Sequence, residues 1–100
     1  MSELSEISVF MEQVQYDPRI GPLHISLYMA IVFVWARQGK PERVQVSARD
    51  LRPLAKIAGR GPFCRYIKQL HQFGYIVYEP SFNPAVKSRV MLPQPEKAAT

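Results

Sequence analysis

The stretch SARDLRPLAKIAGRGPFCRYIKQLHQFGYIVY, residues 47–78, decides the fold. Ser47 with Asp50 three positions on reads as a capping box, in which Asp is a shorter and weaker reciprocal acceptor than the usual Glu. A helix is predicted from Ala48, presenting Leu51, Leu54, Ala55 and Ala58 to the core. Pro53 falls at its sixth position, where the ring removes a helical hydrogen bond and crowds the preceding turn, so a kinked or two-part helix is expected. Ala58-Gly59-Arg60-Gly61-Pro62 then forms a tight turn. Pro62 suits a first helical position and Gly74 a left-handed stop, which predicts a second helix over about residues 62–73. At about 100° per residue, Phe63, Tyr66, Ile67, Leu70 and Phe73 share one side of it. Gly61, Arg65, Lys68 and Gln72 share the other, with Cys64 and Gln69 at the borders. One face is core and the other is cationic and polar.

Working outward, Tyr75 to Tyr78 is β-branched and aromatic, and Ser88 to Leu92 alternates, so the two form a hairpin with a long tip. Upstream, Arg43-Val44-Gln45-Val46 has the two-residue period of a short, half-buried strand. Before it, Pro22 to Gln38 reads as a long helix that starts on Gly21-Pro22 and stops at Gly39. Its middle, Leu27 to Ala36, is apolar all round, the mark of a core pillar or a subunit interface. A first helix is predicted over about residues 5–15, with Ile7, Val9, Phe10, Met11 and Val14 on one side, ending at Tyr16-Asp17-Pro18-Arg19. The segment from Pro93 to Thr100 is expected to be a flexible tail.

One hundred residues, 47% hydrophobic and 21% charged, leave room for one core and no second domain. The charge is unevenly distributed. Residues 1–36 carry Arg19 against Glu3, Glu6, Glu12 and Asp17, a net −3, whereas residues 37–100 carry twelve basic and four acidic side chains, a net +8. Between Arg49 and Lys68, six cations face only Asp50. A polyanion would be met there.

The order helix, helix, strand, helix, glycine-bearing turn, helix, hairpin is that of a winged helix-turn-helix. The fold class expected is therefore mainly α with a small antiparallel β-sheet and an extra N-terminal helix, in one domain over residues 1–92 with the wing at about 75–92. Three runs, His24 to Tyr28, Leu54 to Ile57, and Ile67 to Ile76 leading into Tyr78 to Pro84, resemble the small winged-helix regulators carried on mobile elements of Bacteroides-type bacteria. The likeness spans about residues 16–92. Leu-His-x-x-Gly-Tyr-Ile after the second helix is common to winged helices in general, and the more specific piece is Tyr78, Pro80, Ser81, Asn83 and Pro84. Pro53, and Gly61-Pro62-Phe63 at the start of the recognition helix, depart from the pattern.

The resemblance implies a transcription regulator that binds double-stranded DNA in the bacterial cytoplasm, associated with the nucleoid. Its recognition helix would lie in the major groove and its wing on the flanking backbone. Arg60, Cys64, Arg65, Lys68 and Gln69 are the expected recognition-helix residues, with Arg60 or Arg65 on guanine and Gln69 on adenine. Ser47, Arg49, Arg52, Lys56, Gly61, Lys87 and Arg89 are expected on the DNA backbone, Ser47 and Gly61 through helix N-termini. A homodimer through the N-terminal helices is expected, because the helix of residues 22–38 has more apolar surface than so small a chain covers.

Other chemistries find little support. A single Cys64 allows no intrachain disulfide, and two isolated histidines with it do not make a metal site. His24 and His71 are expected in capping or surface roles. No paired carboxylates, Ser-His-acid set or glycine-rich phosphate motif is present, so no enzyme activity, cofactor or small-molecule ligand is expected. The stretch from Ile20 to Ala36 is too short and too interrupted for a membrane span. The alternative function is a winged-helix protein-protein adaptor in a replication or recombination complex.

Overall fold

The structure, a computed structural model, describes residues 2–83 and 85–92, so Pro84 of the wing motif and the expected tail from Pro93 lie outside the described residues. Among the described residues there are four helices, α1 (Ser2–Val14), α2 (Pro22–Arg37), α3 (Ala48–Ala55) and α4 (Arg60–Gln72). Three short strands, β1 (Val44–Val46), β2 (Val77–Glu79) and β3 (Ser88–Met91), form one antiparallel sheet in the order β1-β3-β2. Val44 pairs with Val90 and Tyr78 pairs with the same Val90, so β3 joins the early strand to the hairpin. Val44, Val46 and Val90 turn inward and are buried. Gln45, Arg89 and Glu79 form a cross-strand row on the other face.

Helix α2 is the pillar of the core. It packs against α1, α3, α4 and β1, and buries Leu27, Tyr28, Ala30, Ile31, Val32 and Trp35. Pro22 opens it, where the missing N–H has no intrahelical partner in any case. Gly39, at φ +86°, closes it, with the Lys40 N–H donating to the Trp35 carbonyl at 2.9 Å. Met29 and Phe33, one turn apart on its outer side, remain 40% and 47% exposed. Helix α1 starts earlier than its apolar spacing predicts and buries Glu6, Phe10 and Val14, while Met11 faces outward. The Phe10 ring stacks on Tyr28, with centroids 3.7 Å apart.

Helix α3 corrects two expectations. It runs unbroken through Pro53 and ends two residues later at Ala55, where Lys56 takes a left-handed conformation. The ring is tolerated because it sits on the exposed side of a helix with little left to disrupt. Leu51 and Ala55 are buried as expected, but Leu54 is 44% exposed and Ala58 is exposed as well. With the helix over, the chain turns in and buries Ile57 instead.

Helix α4 starts at Arg60, two residues before Pro62, which therefore occupies the third helical position. A proline fits there because the first-turn N–H groups are not used within the helix. Its ring lies close to Gly59, where an added Cβ would stand 2.9 Å from Pro62 Cδ, so a larger residue before the helix would force the ring or the backbone to shift. At the other end Gly74 has φ +88°, and the Tyr75 N–H donates to the Leu70 carbonyl at 2.9 Å. That bond commits Tyr75 to closing the helix. The strand expected from Tyr75 consequently begins at Val77, with Tyr75 and Ile76 buried in the core.

Candidate nucleic-acid interface

The amphipathic division of α4 follows the sequence pattern. Phe63, Ile67 and Leu70 are buried, Tyr66 and Phe73 are half-buried against the core, and Gly61, Arg65, Lys68 and Gln72 form an exposed stripe. The Arg65 guanidinium carbon lies 5.2 Å from the centroid of the Tyr66 ring. Arg60 and Cys64 turn toward the β2–β3 hairpin. There they line an open cleft of about 430 Å³ whose far wall includes Ser81, Asn83 and Lys87. The start of α4 and the hairpin thus form two sides of one concave surface, and Val46 and Ser47 contribute where β1 meets α3.

The exposed cations of α3, α4 and the hairpin divide into engaged and free groups. Among the described residues, Arg49, Lys56, Arg60, Lys68 and Arg89 make no ion pair and are exposed. A cation without a partner needs no exchange before meeting an anion. Lys87 is different, because its ammonium donates to Asp50 Oδ2 at 2.8 Å and links the hairpin to the first turn of α3. That contact, with the Ser47 hydroxyl behind it, holds the Asp50 carboxyl below its ordinary range. Ser47 caps α3, its Oγ accepting the Asp50 N–H at 3.2 Å. Arg52 is also engaged, since its guanidinium donates to the carbonyls of Ile57 and Ala58 and fixes the α3–α4 turn.

Gln69 is engaged as well. It is half-buried on the edge of α4 that faces α2, and its Oε1 lies 2.7 Å from His24 Nε2. His24 Nδ1 accepts the Gly21 N–H at 2.9 Å, so Nε2 carries the proton and Gln69 accepts it. His24 is therefore a buried cap of α2 rather than a surface group. His71 also has a structural partner, its Nδ1 accepting the Tyr78 N–H at 3.0 Å and tying β2 to α4.

Of the residues expected at the interface, Arg60, Cys64, Arg65, Lys68, Arg49, Lys56, Gly61 and Arg89 lie on exposed or half-exposed surface. Sequence reasoning missed that Arg52, Lys87 and Gln69 already have partners. No sequence signal joins Asp50 to Lys87 or His24 to Gln69, because these pairs are separated by 37 and 45 residues. Also missed was Phe82, which stands 93% exposed at the hairpin tip.

No protein-family model, curated protein or solved structure matches this chain.

A second polar cluster lies on a different part of the fold. Asp17 Oδ2 receives Arg19 Nη2 at 2.8 Å and the Tyr75 hydroxyl at 2.7 Å. Arg19 first, then Tyr75, hold the Asp17 carboxyl well below the ordinary carboxylate range, while burial first and then Asp17 push the Tyr75 phenol up to about 12. Arg19 also covers the Phe73 ring at 4.1 Å. The cluster binds the α1–α2 turn to the end of α4. Its groups are all used within the fold, which gives it a structural role.

Proposed function

We propose that the chain is a winged helix-turn-helix regulator that binds duplex DNA, with α3 supporting α4 as the recognition helix and the β2–β3 hairpin as the wing. The observation that carries this reading is the exposed stripe of α4, with Arg65 and Lys68, lying beside a concave surface that holds Arg60, without an ion pair among the described residues, and Lys87, held by Asp50. A helix of this width enters the major groove, about 12 Å across. Arg65 or Arg60 makes the bidentate guanine contact and Lys68 supports it from the same helix. Arg49, Lys56 and Arg89 neutralise phosphates and set the register without reading sequence. Lys87 joins them by leaving Asp50. Arg52 and Gln69 act from behind, the first by holding the turn into α4 and the second by holding α4 against α2. The protein carries out no chemistry on the DNA in this reading. Its effect on transcription comes from occupying an operator, and the resemblance noted in the sequence supports genes of a bacterial mobile element as its target.

The test is binding of a fluorescent random-sequence duplex over a range of salt. The four phosphate-set cations, Arg49, Lys56, Lys87 and Arg89, each releasing a counterion, give a log–log salt slope with a magnitude of about 3.6, at about 0.9 per contact. Absence of salt-dependent binding rejects the reading and favours the adaptor alternative.

A further inference from the structure

Phe82 is the most exposed large apolar side chain among the described residues, at 93%, ahead of Tyr16 at 81%. Its exposure is built into the tip. Ser81 Oγ accepts the Asn83 N–H and donates to the Asn83 carbonyl, each at 3.2 Å, so the residues on both sides of Phe82 are bonded to each other. Asn83 in turn accepts from Ala85 N–H through Oδ1 at 3.0 Å and from Val86 N–H through its carbonyl at 2.9 Å. The Ser81 N–H donates to Ser88 Oγ at 3.0 Å and anchors this braced tip to β3. Ser81 and Asn83 thus tie the tip together while the Phe82 ring stays exposed. Holding it there before any partner arrives lowers the ordering cost of binding.

Its surroundings favour one kind of partner. Arg43, Lys87 and Arg89 line the same depression as Phe82, where Arg43 pairs with Glu79 at 3.3 Å, Lys87 pairs with Asp50, and Arg89 makes no ion pair among the described residues. A protein-docking hot spot needs further apolar area around its aromatic anchor to exclude water. Here Val86 and Pro80 are the only apolar neighbours in the lining, and the rest is cationic or polar. A single ring on a cationic base matches the apolar wedges that architectural proteins insert between base steps from the minor groove. The position is suitable too, because Ser81 and Asn83, on either side of Phe82, share a cleft with Arg60 and Cys64 of α4. Phe82 itself lines the adjoining depression, and Ser81 is common to both.

We infer that Phe82 enters the minor groove of duplex DNA and partly unstacks one base step beside the site read by α4, bending the duplex toward the major groove. The inference rests on the DNA-binding reading above and adds a deformability component to its specificity, favouring flexible pyrimidine–purine steps at the flank.

The probe is a duplex selected by the intact protein from a random-sequence pool, with its bend measured by circular-permutation electrophoresis and its affinity by anisotropy. The intact protein is expected to bend it by an angle within the wedge range of about 20 to 90°. Phe82→Ala should abolish the bend and weaken binding by about tenfold, leaving the salt slope unchanged because no phosphate contact is lost. Phe82→Leu, which keeps an apolar wedge, should retain most of the bend. Thermal unfolding of both variants should match the unsubstituted chain, since the side chain is 93% exposed. If Phe82→Ala bends and binds the duplex like the intact protein while Arg65→Ala loses binding, the wedge is overturned, the DNA reading stands, and Phe82 is left for a protein partner. If the intact protein selects no duplex, the reading and the wedge fall together.

Discussion

Gln69 Oε1 accepts the His24 Nε2 proton at 2.7 Å, joining the proposed recognition helix to the central helix through a buried imidazole. A glutamine on the edge of such a helix is a natural candidate for reading adenine, but this one is already spent. Gln69→Ala should leave base preference unchanged and destabilise the fold by about 1 to 3 kcal/mol, because it orphans a buried N–H. Urea unfolding together with site selection from a random pool checks both halves. A change of preference confined to one A·T position would contradict the assignment.

Much of the fold is legible in the sequence because it depends on local signals. Pro22, Gly39, Ser47 and Gly74 mark helix ends through backbone requirements that act within a few residues, and the structure uses all four. The division of α4 into core and exposed faces follows in the same way from a single period. The errors arise where a longer-range partner or a compensating local contact decides. Tyr75 has strand propensity, yet its N–H is used to close α4. Leu54 fits the apolar spacing of α3 but stays 44% exposed, and the chain buries Ile57 just after the helix instead. The candidate surface is legible by residue type, whereas which of its cations are free is not. That depends on Asp50 meeting Lys87 and on the reach of Arg52 back to the turn.

Pro53 lies within a continuous α3, so the Arg49 carbonyl lacks its helical donor. Pro53→Ala restores that N–H and should stabilise the protein by up to about 3 kcal/mol, the cost of an interior proline. Equilibrium urea unfolding measures it. A neutral or destabilising outcome would indicate that the helix breaks at Pro53 in solution.

The Asp17–Arg19–Tyr75 cluster makes stability depend on pH at both extremes. The Asp17 carboxyl is depressed by Arg19 and Tyr75, so its contribution is full above the ordinary Asp value of about 3.9 and is lost as pH falls toward the lower folded value. The Tyr75 phenol is raised to about 12, so its contribution is full below the ordinary value of about 10 and is lost as pH rises through about 12. Asp17→Asn should therefore be less stable than the native chain at neutral pH, with the difference shrinking in acid. Ultraviolet titration of Tyr75→Phe should remove a late phenolate step.

Asp50 holds Lys87, and in the proposed reading a DNA phosphate replaces it. Lys87→Ala should consequently cost less affinity for random duplex than Arg89→Ala, whose guanidinium has no acidic partner among the described residues. On an Asp50→Asn background the two costs should become similar. Equal costs in the native background would mean that the Asp50 contact exerts no hold on the hairpin lysine.

The most direct test of the central claim compares Arg65→Ala and Arg89→Ala in binding to a selected duplex and to random duplex at several salt concentrations. Arg89→Ala should weaken both duplexes alike and reduce the magnitude of the salt slope by about 0.9. Arg65→Ala should also relax base preference at one position, by about 1 to 3 kcal/mol for a bidentate contact. Unchanged binding in both variants, or no salt-dependent binding by the native chain, would contradict the assignment of α4 and the hairpin to DNA.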